Sequence, residues 1–251
     1  MVKTFAVIVL LLTFVVGCSS TSPAYPGPQT SPGTQSDPGS QPQTSPRGYP
    51  GPQESPSPQP RPTSAASAFF DSADRAYQTG NLDQAIADYT KAIEANPNYV
   101  EAYYNRAIAY EDKGDADRAI ADYSKAIEID PKYARAYYNR GIVYYKRGNL
   151  DQAIADFDKT IELVPSASRA YNNRGVAYDD KGNVDQAIAD YAKAIELDGT
   201  FADAFMNRGE SYREKGSKEQ AIADFETFLR LAGDSPNRSQ VEQWLAELKG
   251  P

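Results

Sequence analysis

The chain has 251 residues, no His, a single Cys (Cys18) and a formal charge of −8. That length suggests one or two domains and can bury a sizeable core, while the missing His and scarce Cys remove His-based acid/base catalysis, zinc sites and disulfide frameworks. The charge sits in residues 66 onward, with 23 basic and 32 acidic residues, a balance that repels phosphate backbones and argues against nucleic acid as a partner.

Residues 1–17, "MVKTFAVIVLLLTFVVG", carry one early Lys and an apolar run from Phe5 to Val16. A run of about a dozen residues is short for a membrane-spanning helix and reads as a secretory signal. The ending "VVGC" resembles the lipobox of bacterial lipoproteins, in which the Cys is lipidated and becomes the new N-terminus. The resemblance explains why the one Cys stands at position 18; the alternative is an ordinary signal with an incidental Cys. Acyl chains there would hold the protein on a membrane, at about 0.8 kcal/mol per buried CH₂. Ser19 follows, and in lipoproteins of two-membrane bacteria the absence of Asp at that place implies the outer membrane.

Residues 18–65 contain 13 of the chain's 18 Pro, with "YPGPQTSP" at 25–32 returning as "YPGPQESP" at 49–56. Such composition cannot bury enough apolar surface to fold, so a spacer is expected. It would reach about 145 Å fully extended and about 40 Å as a flexible coil. A Pro-motif or cell-wall contact is the other reading.

From residue 66 the chain repeats itself. Gly80, Gly114, Gly148, Gly182 and Gly216 are spaced by 34 residues, a period that means stacked helical hairpins. In the clearest copy Tyr137, Gly141 and Tyr144 lie on one face of a first helix, with Ala153, Phe157 and Ile161 on the second and Pro165 at the exit. This pattern is similar to the tetratricopeptide repeat. The resemblance implies an all-α, right-handed superhelical solenoid of five hairpins (66–99, 100–133, 134–167, 168–201 and 202–234). Residues 235–251 form a capping helix and tail, with Val241, Trp244, Leu245 and Leu248 as its apolar stripe.

Within a hairpin, Gly148 suits a left-handed helix end. Asn149 with Gln152 predicts a capping box, as do Asn81 with Gln84, Asn183 with Gln186 and Ser217 with Gln220. Repeat one carries Ser72 and Ala76 where later copies have Arg and Tyr, as expected of a terminal unit.

Two neighbouring columns invite different roles. Arg106, Arg140, Arg174 and Arg208 match Asp88, Asp122, Asp156, Asp190 and Asp224 in period, which predicts repeated ion pairs. Asn105, Asn139, Asn173 and Asn207 stand one residue earlier. In tetratricopeptide proteins the matching stripe lines the concave groove, and the column resembles the Asn ladder by which O-linked N-acetylglucosamine transferase grips peptide backbones. An amide has the donor and acceptor for this; equally, it can link neighbouring hairpins. The carboxylate clamp of chaperone-binding relatives is not matched, because Phe70 and Asp74 stand where its first Lys and Asn would be.

The expected groove adds Tyr104, Tyr138 and Tyr145 as aromatic surface and Arg135, Lys146 and Arg169 as a basic middle. Glu101, Glu111 and Asp112 lie on one side, with Asp179, Asp180, Asp203, Glu210 and Glu214 on the other. It suits an extended peptide with a central acidic group and basic flanks. No catalytic constellation, metal site or cofactor is expected: the Asp-rich turns lack the Gly and terminal Glu of a calcium loop. The sequence therefore reads as a lipid-anchored protein- or peptide-binding scaffold of the bacterial cell envelope. The alternatives are an assembly factor acting through its outer surface or a cell-wall binder.

Cys18→Ser should abolish palmitate labelling and release a folded, soluble repeat domain; an unlabelled, membrane-free wild type would overturn the lipoprotein reading.

Overall fold

The computed structural model describes residues 64–250; the signal sequence, Cys18 and the Pro-rich segment lie outside the described residues. The described residues form eleven helices: α1 (Ser64–Gln78), α2 (Leu82–Ala95), α3 (Val100–Asp112), α4 (Ala116–Ile129), α5 (Ala134–Lys146), α6 (Leu150–Leu163), α7 (Ser168–Asp180), α8 (Val184–Leu197), α9 (Ala202–Glu214), α10 (Lys218–Leu231) and α11 (Arg238–Lys249). They pair as five antiparallel hairpins stacked in chain order, with α11 closing the last. The first helices of successive hairpins touch, α5 with α7 and α7 with α9, so they line the inner side of the stack.

Each hairpin turns through a glycine in the left-handed region, with φ between 75° and 79° from Gly80 to Gly216. At Gly148 the chain closes a Schellman motif: Gly148 N donates to the Tyr145 carbonyl (2.8 Å) and Asn149 N to that of Tyr144 (2.9 Å). The second helices start less uniformly than the capping-box pattern predicts. Asn81 accepts from Gln84 N and Asp115 from Arg118 N, but Asn149, Asn183 and Ser217 make no side-chain cap. Asn149 and Asn183 are exposed, as is the capping Asn81, so water serves the first-turn amides where the side chain does not.

The hairpins interlock by size. Tyr89, Tyr123, Phe157, Tyr191 and Phe225, one per second helix, are essentially fully buried. In repeats three to five each ring lies over a glycine of the first helix. A Cβ on Gly141, Gly175 or Gly209 would come within 2.9, 2.7 and 2.7 Å of the ring facing it. At the C-terminal end Val241 is fully buried, while Trp244 is only half-buried, its ring centroid 5.5 Å from that of Phe225. Among the described residues no helix is long and apolar enough to cross a membrane.

Gly182 has open space around its Cα, so its φ of +79° is the only obstacle to a side chain. Gly182→Ala should cost about 1 kcal/mol in chemical denaturation, and Gly199→Ala, in equally open space without a positive φ, should cost almost nothing.

Candidate functional site

The repeated Arg is bonded on several sides in the second to fifth hairpins. Arg140 Nε and Nη2 donate to Asp156 Oδ2 and Oδ1 at 2.8 and 2.7 Å. The same fork joins Arg106 to Asp122, Arg174 to Asp190 and Arg208 to Asp224. The remaining nitrogen, Nη1, reaches back to the preceding hairpin: from Arg106 to Thr90 (2.9 Å), from Arg140 to Ser124 (2.8 Å) and from Arg174 to Asp158 (2.6 Å). Each guanidinium is also flanked by two rings, Tyr137 and Tyr144 lying 5.7 and 5.8 Å from Arg140 Cζ. A single side chain thus ties three helices. The predicted ion pairs form within hairpins. A further link, to the hairpin before, uses Thr90, Ser124 and Asp158, which share the 34-residue spacing. In repeat one Ser72 replaces the Arg and donates to Asp88 at 2.9 Å.

The Asn column is turned into the stack, which corrects its reading as a peptide ladder. Asn105, Asn139, Asn173 and Asn207 are 4 to 7% exposed. Their Nδ2 atoms donate, respectively, to Asp74 Oδ1 (3.2 Å), Tyr104 Oη (2.9 Å), Tyr138 Oη (3.0 Å) and Asn172 Oδ1 (3.0 Å) of the hairpin before. Tyr104 and Tyr138 are correspondingly buried, so they supply acceptors rather than aromatic surface. The physical reason is burial: a sealed amide donor must be satisfied by the protein itself, and the nearest acceptor belongs to the neighbouring repeat.

At the ends of the first helices many expected groove charges are engaged with one another. Lys146 Nζ lies 2.7 Å from Glu111 Oε1. The Tyr145 hydroxyl donates to Asp180 at 2.7 Å, and that of Tyr77 donates to Asp112. These links run from one hairpin to the next. A second column remains nearer the helix starts, formed by Glu101, Arg135, Arg169 and Asp203, all half-buried and one repeat apart. Burial pushes the Arg169 guanidinium below its usual range, with Asp198 and Asp203 pulling it back up.

Asp179 stands out at the far end. Its Oδ2 accepts from the Ser211 hydroxyl at 2.6 Å, while Oδ1 is sealed from solvent with no hydrogen-bond partner. Burial raises its carboxyl to about 6, Glu214 and Glu210 add to the rise, and donation from Ser211 opposes it. Arg213 lies over the Trp244 ring, 4.8 Å from its centroid. Among the described residues no group of three or more Cys, Asp or Glu could hold a metal ion.

The sequence matches models of the TPR repeat over residues 73–114 and 112–148 and of the tetratricopeptide repeat over 138–200 and 180–236. The chain belongs to the tetratricopeptide repeat family. Among solved structures it is similar to the crystal structure of MamA, at 31% identity and a TM-score of 0.62, over 64% of this chain and 94% of that one. It is also similar to YrrB, described as a TPR protein with an unusual peptide-binding site, at 24% identity and a TM-score of 0.61, over 71% of this chain and 92% of that one. PilW, described as a widely conserved type IV pilus biogenesis factor, is 19% identical with a TM-score of 0.66, over 75% of this chain and 87% of that one. The latter two likenesses concern the fold alone. No curated protein matches the chain. The fold is a scaffold of the protein-interaction type, and the Arg and Asn columns are what hold its tetratricopeptide hairpins in register.

Both columns should therefore behave as stability positions. Arg140→Ala strands Asp156, buried to 5% exposure, and should cost about 3 kcal/mol. Asn139→Ala leaves the buried Tyr104 hydroxyl short of a partner and should cost about 1–2 kcal/mol. Lys181→Ala, which breaks only the exposed pair with Asp151, should change the denaturation midpoint little.

Proposed function

We propose that the protein is a binding scaffold whose inner face, lined by α3, α5, α7 and α9, holds an extended peptide or protein segment, and that a lipid on Cys18 tethers it in the bacterial cell envelope. The observation that carries the reading is the column Glu101, Arg135, Arg169 and Asp203. These residues occupy equivalent places in four successive first helices, with signs acidic, basic, basic, acidic. Because the Asn amides are spent inside the stack, recognition rests on this column, with Tyr145 and Lys146 beside it. The two arginines suit a carboxylate at the middle of the segment, and the flanking acids suit basic residues on either side. The tether is supported by the sequence alone, by the apolar run ending in "VVGC".

The test is a pair of extended decapeptides, one with an acidic centre and basic ends and the other reversed, titrated by fluorescence anisotropy. The first should bind at least about tenfold more tightly, a difference of about 1.4 kcal/mol, and Arg135→Glu with Arg169→Glu should invert the preference. Equal binding of both peptides, unchanged by the double variant, would exclude the inner face and favour action through the outer surface.

A further inference from the structure

The junctions between hairpins are not alike. The larger buried apolar clusters among the described residues run through α1–α5, through α5–α7 and through α9–α11; between the fourth hairpin and the fifth, α8 packs on α9 with the small Ala194 and Ala204 fully buried. The sequence shows why. At this junction Asn172 replaces the Tyr of the two preceding copies (Tyr104 and Tyr138), and Glu210 follows the apolar column Ile108, Ile142 and Val176. Ser211 follows Ala109, Val143 and Ala177. What spans the junction on the inner side is polar: Asn207 to Asn172 (3.0 Å) and Ser211 to Asp179 (2.6 Å). Outside, the exposed pair Lys215 with Asp185 repeats the link made at the other three junctions. The backward link is also missing from Arg208, because Ala192 stands where Thr90, Ser124 and Asp158 accept from the three preceding arginines.

At the centre lies Asp179, with one carboxyl oxygen sealed and unpartnered. The groups around it are named by element: Asp180 beside it on α7, Tyr191 on α8 at 3.4 Å, and Ser211, Glu210, Arg213 and Glu214 on α9. Tyr145 of α5 contacts Asp180, and Trp244 of α11 covers Arg213. Ionised, Asp179 faces Glu210 and Glu214 with one donor from Ser211 and a weak one from Tyr191. Protonated, it adds no charge to that cluster.

From this geometry we infer that the junction between the fourth and fifth hairpins is a pH-dependent seam, at which the fifth hairpin and α11 open together as Asp179 loses its proton. The sign follows from linkage. A carboxyl at about 6 in the closed state, against an ordinary value once opened, favours closure most below about pH 4, and that advantage is lost as the pH rises through about 6. Local opening of a terminal unit is what a stack bonded only between neighbours allows. The inference does not depend on what the inner face binds.

Native-state hydrogen exchange of the full chain, expressed as protection factors at pH 5.0 and 7.5, tests it. Amides of α9–α11 should be less protected than those of α3–α6, and their protection should fall about fivefold to tenfold between the two pH values. In Asp179→Asn the fall should disappear. Should that variant not fold, Glu210→Gln with Glu214→Gln should reduce the fall in an otherwise native chain. Uniform protection across the hairpins, protection that does not change with pH, or a pH response that persists in Asp179→Asn or is undiminished in the double variant would each overturn the inference.

Discussion

Four of the five hairpins in this solenoid depend on one half-buried guanidinium, and in the first Ser72 takes its place. Hydrophobic rings hold helices together without fixing their mutual rotation, because apolar contact is non-directional. A planar fork is directional: its two parallel bonds to one carboxylate set the angle between a first helix and its own second helix. The third bond, where it exists, sets the position of the hairpin before. With 17% of the Arg140 side chain and 7% of that of Asp156 exposed, neither partner can be removed without stranding the other. The flanking rings complete the arrangement, shielding the guanidinium while leaving its edge to the hydrogen bonds.

Specificity of register and strength of cohesion are thus supplied by different residues. Cohesion comes from the rings at Tyr89, Tyr123, Phe157, Tyr191 and Phe225 and from the small residues they cover. Register comes from the Arg forks and from the Asn donors that each reach back one hairpin. A repeat protein needs both, since without register neighbouring hairpins could slide on interchangeable apolar faces. The column Glu101, Arg135, Arg169 and Asp203 takes no part in the Arg forks or the Asn links, whereas Tyr145 and Lys146 add further bonds between hairpins.

The same division explains why the stack is uneven. Toward its C-terminal end the repeat places polar residues, Asn172, Glu210 and Ser211, where earlier copies carry Tyr, Ile or Val, and Ala or Val, and the Arg link to the hairpin before is absent.

The period of 34 residues, the Gly turns, the capping helix and the pairing of Arg with Asp were all legible in the sequence, because each rests on local rules: helix periodicity, left-handed backbone and charge complementarity at fixed spacing. The column charges were equally visible. What the sequence could not determine was which way a polar column faces. Asn139 and Arg135 lie four residues apart on one helix, and only the tertiary structure shows the first buried and donating to the Tyr104 hydroxyl and the second half-buried. The same holds for Asn149, whose spacing to Gln152 satisfies the capping-box pattern without forming it, and for Asp179, which reads as one more groove acid. Burial is set by the neighbouring hairpin, and a side chain's partners, its protonation and its availability to a ligand all follow from that distance across the stack rather than from distance along the chain.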